Sequence, residues 1–348
     1  MKKIRKAILT GGGHATRLRP ITSTINKHLI KLAGKPMIFH AIDKVVEAGV
    51  EEIYINTNPG DTELQKVVGD GSGWGITIKF FEQKGGPQGI AHVVAQAKKF
   101  IGNEPFIFYL SDNIILGSIK EFVEEFNKNS YDCMLALSQV EDPERFGMPV
   151  FEGKKLVDVI EKPKNPPNNF AVTGIYVYGS KVFFKAFKKI KPSARGEYEI
   201  SDIHSYFLKN GYKVGYKEIT GWWKDTGKPK DLILANNLLL DEKKNLGHGS
   251  VNVKDFENVE IKHPVLIGKD CKIKDCVIGP NVSIGDNCIL ENVNITQSLI
   301  FDDCEIVSEQ KDALNITQSI FGKDTNILKK ESSNKQSLIL GASTQIIM

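Results

Sequence analysis

Three consecutive glycines, Gly11 to Gly13, follow a short apolar run, Ala7–Leu9, and precede Arg17, Arg19 and Lys27. Residue types in that order suit the capture of an anion. Glycine lets the backbone approach a phosphate closely, and its N–H groups are donors with no side chain in the way. A plain strand-to-loop turn would use the same glycines, so they leave both readings open, and the basic residues behind them favour the anion. No Lys-Ser/Thr pair closes the run as a P-loop requires. Thr16 stands where the dinucleotide fingerprint has its third glycine.

Two further polar residues sit where chemistry collects. Gln83 follows the apolar run Thr77–Phe81, and Asp112 follows Phe106–Leu110. An aspartate directly after a buried strand can hold magnesium against phosphates. It can equally cap a turn. Gln83 by itself is a surface polar residue.

The elements that must position these residues follow from periodicity. Pro36 suits a first helical turn, and Ile38, Ala41, Ile42, Val45 and Val46 recur at helical spacing as far as Gly49. Glu52–Asn56 reads as the next strand. Gly85, Gly86, Pro87 and Gly89 form a loop before a helix over Ile90–Phe100. Strand, helix, strand in this order predicts a Rossmann-like, mostly parallel α/β sheet with crossover helices. Ligands then gather at the carboxyl ends of the strands. Beyond Cys133 the chain reads as strands joined by short polar turns: Met134–Gln139, Met148–Phe151, Leu156–Ile160 and Ala171–Tyr178. Helices are expected over Ile200–Leu208 and Lys228–Leu240.

Composition bounds the class. The 348 residues suit two domains, and 41% hydrophobic with 25% charged residues describes an ordinary water-soluble chain. A net charge of +4 with no basic block leaves nucleic acid out of the expected partners. No apolar window is long enough for a membrane span, and the four-residue apolar start is too short for a signal peptide, so neither a membrane nor secretion is expected and the cytoplasm is. Five cysteines without a C-x-x-C pair fit reduced thiols rather than zinc or disulfides.

The stretch GGGHATRLRPIT…NKHLIKLAGKPMI resembles the signature of the sugar-phosphate nucleotidyltransferases, nearest the glucose-1-phosphate thymidylyltransferase type. It carries one extra residue between Leu9 and Arg17, and Ala15 replaces the usual last glycine. FEQKGGPQGIAHVV, LSDNIILG, Glu161–Lys162–Pro163 and Trp222–Gly227 resemble later motifs of that family in the same order. The resemblance implies nucleotide contacts at Leu9, Gly11, Gly12, Gly13, Thr16, Arg17, Gln83 and Gly89. It implies sugar-phosphate contacts at Gly147, Glu161, Lys162 and Val172. Arg17, Lys27, Asp112 and Asp225 become the catalytic set, with Asp112 and Asp225 on Mg2+. The substrates implied are a nucleoside triphosphate, dTTP or UTP, and a sugar 1-phosphate such as glucose 1-phosphate. The acidic run Ala194–Asp202 is expected to be structural. Of the two tryptophans, at least one is expected in the core.

The transferase domain is expected over 1–242, its nucleotide half over about 1–132 and its sugar half over about 133–242. Beyond Leu246 helical spacing vanishes. NITQS at Asn294–Ser298 recurs at Asn315–Ser319, and Gln-Ser-aliphatic units begin at Gln297, Gln318 and Gln336. A six-residue beat runs through Ile267, Ile278, Ile284 and Leu290. These features predict a short left-handed β-helix over 248–348. Its aliphatics point inward, and Cys271, Val282, Cys288, Cys304 and Thr325 stack beside them. His248 and His263 precede the coils and no histidine follows Pro264, so the tail reads as an oligomerisation or capping module rather than an acyltransferase.

Overall fold

The computed structural model describes residues 3–86, 88–219, 221–245, 256–330 and 338–347. Pro87, His248, Gln336 and Ser337 of the sequence reading lie outside the described residues. The chain groups into two units: 1–13 with 38–223, and 14–37 with 224–348. In this grouping 14–37 and 224–242, both within the expected 1–242 span, go with the tail.

In the first unit, seven strands build one mixed sheet: β1 (Lys6–Thr10), β2 (Glu52–Thr57), β3 (Thr77–Glu82), β4 (Phe106–Tyr109), β5 (Cys133–Gln139), β6 (Phe170–Tyr178) and β7 (Val214–Glu218). Their spatial order is β7-β5-β6-β4-β1-β2-β3. β1, β2, β3 and β4 are mutually parallel, whereas β6 is antiparallel to both β4 and β5. The inner strands β1, β2, β4, β5 and β6 are buried on both faces, as crossover helices on a parallel sheet require. Phe106, Phe108, Tyr176, Tyr178, Phe183 and Phe207 fill the core.

Several boundaries differ from the sequence reading for local reasons. The helix expected over Ile90–Phe100 runs Ile90–Gln96, breaks at Ala97 and resumes as Lys98–Ile101. Pro36 ends a two-residue strand, Lys35–Pro36, and the helix begins after it, at Met37. Three helices, Thr62–Val68, Lys120–Asn129 and Ser180–Phe187, and the edge strand β7 are elements that the sequence reading missed, although Phe122, Val123 and Phe126 recur at helical spacing.

The second unit is dominated by parallel strands stacked on three faces. One face holds Val265–Ile267, Val282–Ile284, Ser298–Ile300, Ile320–Phe321 and Ile339–Leu340. A second stacks the start of Lys272–Ile278, then Ile289–Glu291, Glu305–Ser308, Asn326–Lys329 and Gln345–Ile347. A third stacks Glu257–Ile261, the end of Lys272–Ile278, Val293–Thr296 and Leu314–Thr317. This is the expected β-helix. Register advances by 17 residues from Val265 to Val282 and by 16 from Val282 to Ser298. It advances by 21 from Leu299 to Ile320, where extra residues lie between Glu305–Ser308 and Leu314–Thr317.

The corners are left-handed. Asp270, Asn287, Asp303, Asp324 and Ser343 form one column of positive φ, Asn281, Gln297 and Gln318 a second, and Asn258, Asp275 and Asn292 a third. Short polar side chains tolerate that conformation best, which accounts for the Asn and Asp content of the tail. Beside the first column run Cys271, Cys288 and Cys304, each Sγ 3.1 Å from a carbonyl of the next coil, on Gly285, Phe301 and Gly322. Thr325 continues the column with its hydroxyl 3.2 Å from the Gly341 carbonyl. The thiols are small fillers whose S–H is satisfied; a hydrogen bond with Cys271 lowers Cys288, but Cys304 and burial outweigh it and push the thiol up to about 12. Val282 belongs to a different column, over Val265.

His14–Met37 lies in this second unit. The hairpin Lys31–Leu32 with Lys35–Pro36 turns at Ala33 and Gly34, both at positive φ. Ala33 N–H donates to Asn236 Oδ1 on helix Pro229–Asn245, and Lys31 Nζ meets both carboxylate oxygens of Asp302 at 2.8 Å.

Candidate active site

The carboxyl ends of β1 to β4 share one rim of the first unit, and the register places Thr10 beside Asn56, Thr57 beside Glu82, and Leu9 beside Tyr109. The glycine loop, Gln83 and Asp112 therefore leave the sheet at that rim. A Cβ on Gly11 would lie 2.6 Å from Leu64 Cδ2 and 2.8 Å from the Asn56 carbonyl. One on Gly12 would lie 2.8 Å from Asn56 Nδ2. Close backbone approach demands these glycines.

Asn56 Oδ1 accepts the Gly11 N–H at 3.3 Å, and Asn58 Oδ1 accepts that of Gly13 at 2.8 Å. Two of the backbone donors expected to face an anion are thus held by asparagine side chains. Sequence reasoning missed both asparagines. The available signal was their place, at and just past the end of a strand on the glycine rim. Gln83 is half-buried after β3, and Gly89 opens the next helix at φ 90. A Cβ on Gly89 would meet the Tyr198 backbone at 2.6 Å, and Tyr198 N–H donates to the Gln88 carbonyl.

Asp112 is half-buried. Asn113 Nδ2 donates to its Oδ1 at 2.9 Å, while Asn113 Oδ1 accepts from Trp223 Nε1 at 2.8 Å and from Gly174 N–H at 3.1 Å. On the adjoining segment, Ser111 N–H donates to Thr10 Oγ1, tying the ends of β4 and β1 together. Trp223 is buried and packs edge-to-face on Phe146, so one tryptophan is a core residue as expected.

The sugar-side residues gather around a hairpin, Gly147–Glu152 with Lys155–Glu161, in which Gly147 pairs with Glu161. A Cβ on Gly147 would crowd Glu161 Oε2 at 3.3 Å. Lys162 Nζ lies 3.0 Å from Glu161 Oε1, and Arg195 approaches the same oxygen at 3.6 Å while forking onto Glu199. The run Ala194–Asp202 thus touches both Glu161 and the loop before Gly89. Asp202 is raised by burial and by the charges of Glu199 and Glu161. Val172 is buried in the sheet core opposite Leu137, in one cluster with Leu156 and Val159 of the hairpin, and Leu9 is buried in β1.

The remaining residues lie in the second unit. Thr16 and Arg17 occupy a single helical turn, Thr16–Leu18, entered through Ala15 at φ 43. That left-handed position is the one where the family motif keeps glycine, and alanine there costs about 1 kcal/mol. Gly227 is enclosed: its Cβ would lie 2.8 Å from Asp225 Oδ2 and 3.2 Å from Arg17 Nη2. Arg17 and Asp225 thus flank one glycine. Lys27 is 9% exposed and begins the turn Lys27–Leu29, capped by Asn26 Oδ1 accepting from His28 N–H.

Among the described residues, no three His, Cys, Asp or Glu side chains gather as a metal cage. Magnesium is commonly bound by one or two carboxylates plus substrate phosphates. Asp112, half-buried at the rim of the first unit, offers a hard oxygen donor of that kind.

A glycine loop, an amide and a carboxylate at the carboxyl ends of parallel strands are the features of a nucleotide-handling α/β fold. Residues 6–242 match the nucleotidyl transferase family and residues 258–347 the GMPPB C-terminal domain. The chain is 35% identical to the low-salt glycan biosynthesis nucleotidyltransferase Agl11 of Haloferax volcanii, covering 98% of this chain and 99% of that protein. It is 30% identical to a glucose-1-phosphate thymidylyltransferase of Streptomyces antibioticus over 98% and 99% of the two chains. A Bacillus anthracis crystal structure described as a glucose-1-phosphate thymidylyltransferase, in complex with sucrose, superposes with a TM-score of 0.64 at 39% identity, covering 67% of this chain and 94% of that one. The chain belongs to the nucleotidyl transferase family, among its sugar-1-phosphate nucleotidyltransferases.

Proposed function

We propose that the protein transfers a nucleotidyl group from dTTP or UTP to a sugar 1-phosphate, glucose 1-phosphate first among them, releasing pyrophosphate. The observation that carries this reading is the rim of the first unit, where the glycine loop, Gln83 and Asp112 leave parallel strands of one sheet. The near full-length likeness to a glucose-1-phosphate thymidylyltransferase supports the choice of substrates.

In this reaction an oxygen of the sugar phosphate attacks the α-phosphorus in line, and the bond to the pyrophosphate oxygen breaks. The nucleophile arrives already ionised, so no side chain need act as general base. Catalysis is then charge neutralisation and alignment of two polyanions. Arg17 holds the departing pyrophosphate, Lys27 lies against the triphosphate and Lys162 holds the sugar phosphate. The side-chain amide of Gln83 offers a donor and an acceptor to the imide edge of thymine or uracil. Glu161 and Gly147 receive the sugar. Asp112 and Asp225 supply the carboxylates for Mg2+, which when bound offsets charge on the α-phosphate. The β-helix serves assembly into a homo-oligomer, and the enzyme works in the cytoplasm.

The deciding assay measures pyrophosphate release with magnesium, pairing dTTP and UTP each with glucose, N-acetylglucosamine and galactose 1-phosphate. Release in one pair is expected and names the substrates. A folded, nucleotide-binding protein silent across the grid would overturn the proposal.

A further inference from the structure

Asn113 is buried and uses both ends of its amide. Oδ1 accepts from two donors, Trp223 Nε1 at 2.8 Å and Gly174 N–H at 3.1 Å, and Nδ2 donates to Asp112 Oδ1 at 2.9 Å. Turning the amide over would set its NH2 against those two N–H donors and leave them unpaired in a buried place. The clamp therefore selects one orientation of the amide. Gly174 permits it, since a Cβ there would lie 2.7 Å from both Asn113 Cγ and Oδ1. The Asn113 backbone is held as well: Tyr109 O–H donates to its carbonyl at 2.9 Å.

We propose that Asn113 is a positioning residue for the metal carboxylate, its clamped amide fixing which way the Asp112 carboxylate turns. The proposal rests on Asp112 being a carboxylate for Mg2+. It also connects parts of the chain that sequence alone keeps separate. Gly174 lies two residues beyond Val172 on the strand assigned to the sugar, and Trp223 lies two residues ahead of Asp225.

The test reads Mn2+ binding from the loss of the free ion's spin-resonance signal. It uses the full chain with dTTP or UTP, whichever the pyrophosphate assay accepts, and no sugar phosphate, so that no turnover occurs. Asn113→Ala is expected to weaken Mn2+ binding by about 10- to 100-fold, the usual range for a group that orients a metal ligand. Its kcat should fall at limiting Mg2+ and recover as Mg2+ is raised, with KM for the sugar phosphate nearly unchanged. Trp223→Phe keeps a ring in place but removes one clamp donor, and should shift Mn2+ binding the same way by a smaller factor. Asp112→Asn separates the two readings. If it leaves Mn2+ binding intact, the metal assignment of Asp112 fails and this proposal with it. If it abolishes binding while folded Asn113→Ala binds as the wild type does, only the positioning role is overturned. Should Asn113→Ala not fold, wild-type Mn2+ affinity in Trp223→Phe overturns it instead.

Discussion

The rim of the mixed sheet and the β-helix treat polar side chains in opposite ways. At the rim each polar residue has a singular partner set: Asn113 with Asp112, Trp223 and Gly174, Asn58 with Gly13, Arg195 with Glu199 and Glu161. In the β-helix polar residues pair with those at the equivalent position one coil on, several of them with their own kind. Asn294 donates to Asn315, Thr296 meets Thr317 at 3.0 Å, and Gln318 donates to Gln297. The duplicated NITQS segment stacks on itself in register. Repetition spreads stability over equivalent contacts, whereas a site concentrates function in contacts without a substitute.

That contrast can be broken by substitution, beginning with the largest effect. Arg17→Ala and Asp112→Asn should each lower kcat by about 100- to 1000-fold, the usual loss for one transition-state donor. Near-normal pyrophosphate release from either folded variant would remove its assigned role. In the β-helix, Ile306 is fully buried between Leu290 and Ile327. Ile306→Ala should cost about 2–5 kcal/mol in urea unfolding, and a cost near zero would mean the coil interior can collapse around the gap.

A pH effect of intermediate size comes from the sheet core. His204 is buried against Tyr178, 2.6 Å from its hydroxyl, and burial lowers its pKa to about 3. The unfolded chain, with a histidine near 6.5, then binds a proton that the folded protein refuses. This contribution to stability is complete above pH 6.5 and is lost as pH falls towards 3, at about 1.4 kcal/mol per unit. Unfolding measured at pH 7 and pH 5 should show that slope, and His204→Phe should flatten it. An unchanged slope in the variant would assign acid sensitivity elsewhere.

The smaller effects sharpen the contrast. Thr296→Val removes one rung of a repeated ladder and should cost under about 1 kcal/mol. A larger loss would show that the rungs act as a unit. Ala15→Gly should gain a few tenths to about 1 kcal/mol, because glycine adopts φ 43 without strain. A loss on calorimetric melting would mean the alanine methyl contributes packing that outweighs its backbone conformation.

The order of strands, the glycine run, the aspartate after β4 and the repeat of the tail were all legible in the chain. These signals are local: apolar runs end where strands end, and polar residues follow them. Asn56, Asn58 and Asn113 were not legible, because an asparagine at a strand end is ordinary until its partner, up to 110 residues away for Asn113 and Trp223, is known. The grouping of His14–Met37 with the tail was equally hidden, since it depends on Asn236 and Asp302 meeting Ala33 and Lys31.

By itself, then, the sequence determined the two architectures and the motif residues proposed to meet phosphate and sugar, because periodicity and motif spacing act over neighbouring residues. Only the tertiary structure decided which carboxylate oxygen Asn113 addresses, why Gly174 admits no side chain, and where β7 joins the sheet. Those outcomes depend on distances between segments remote in the chain, and no local pattern encodes a distance.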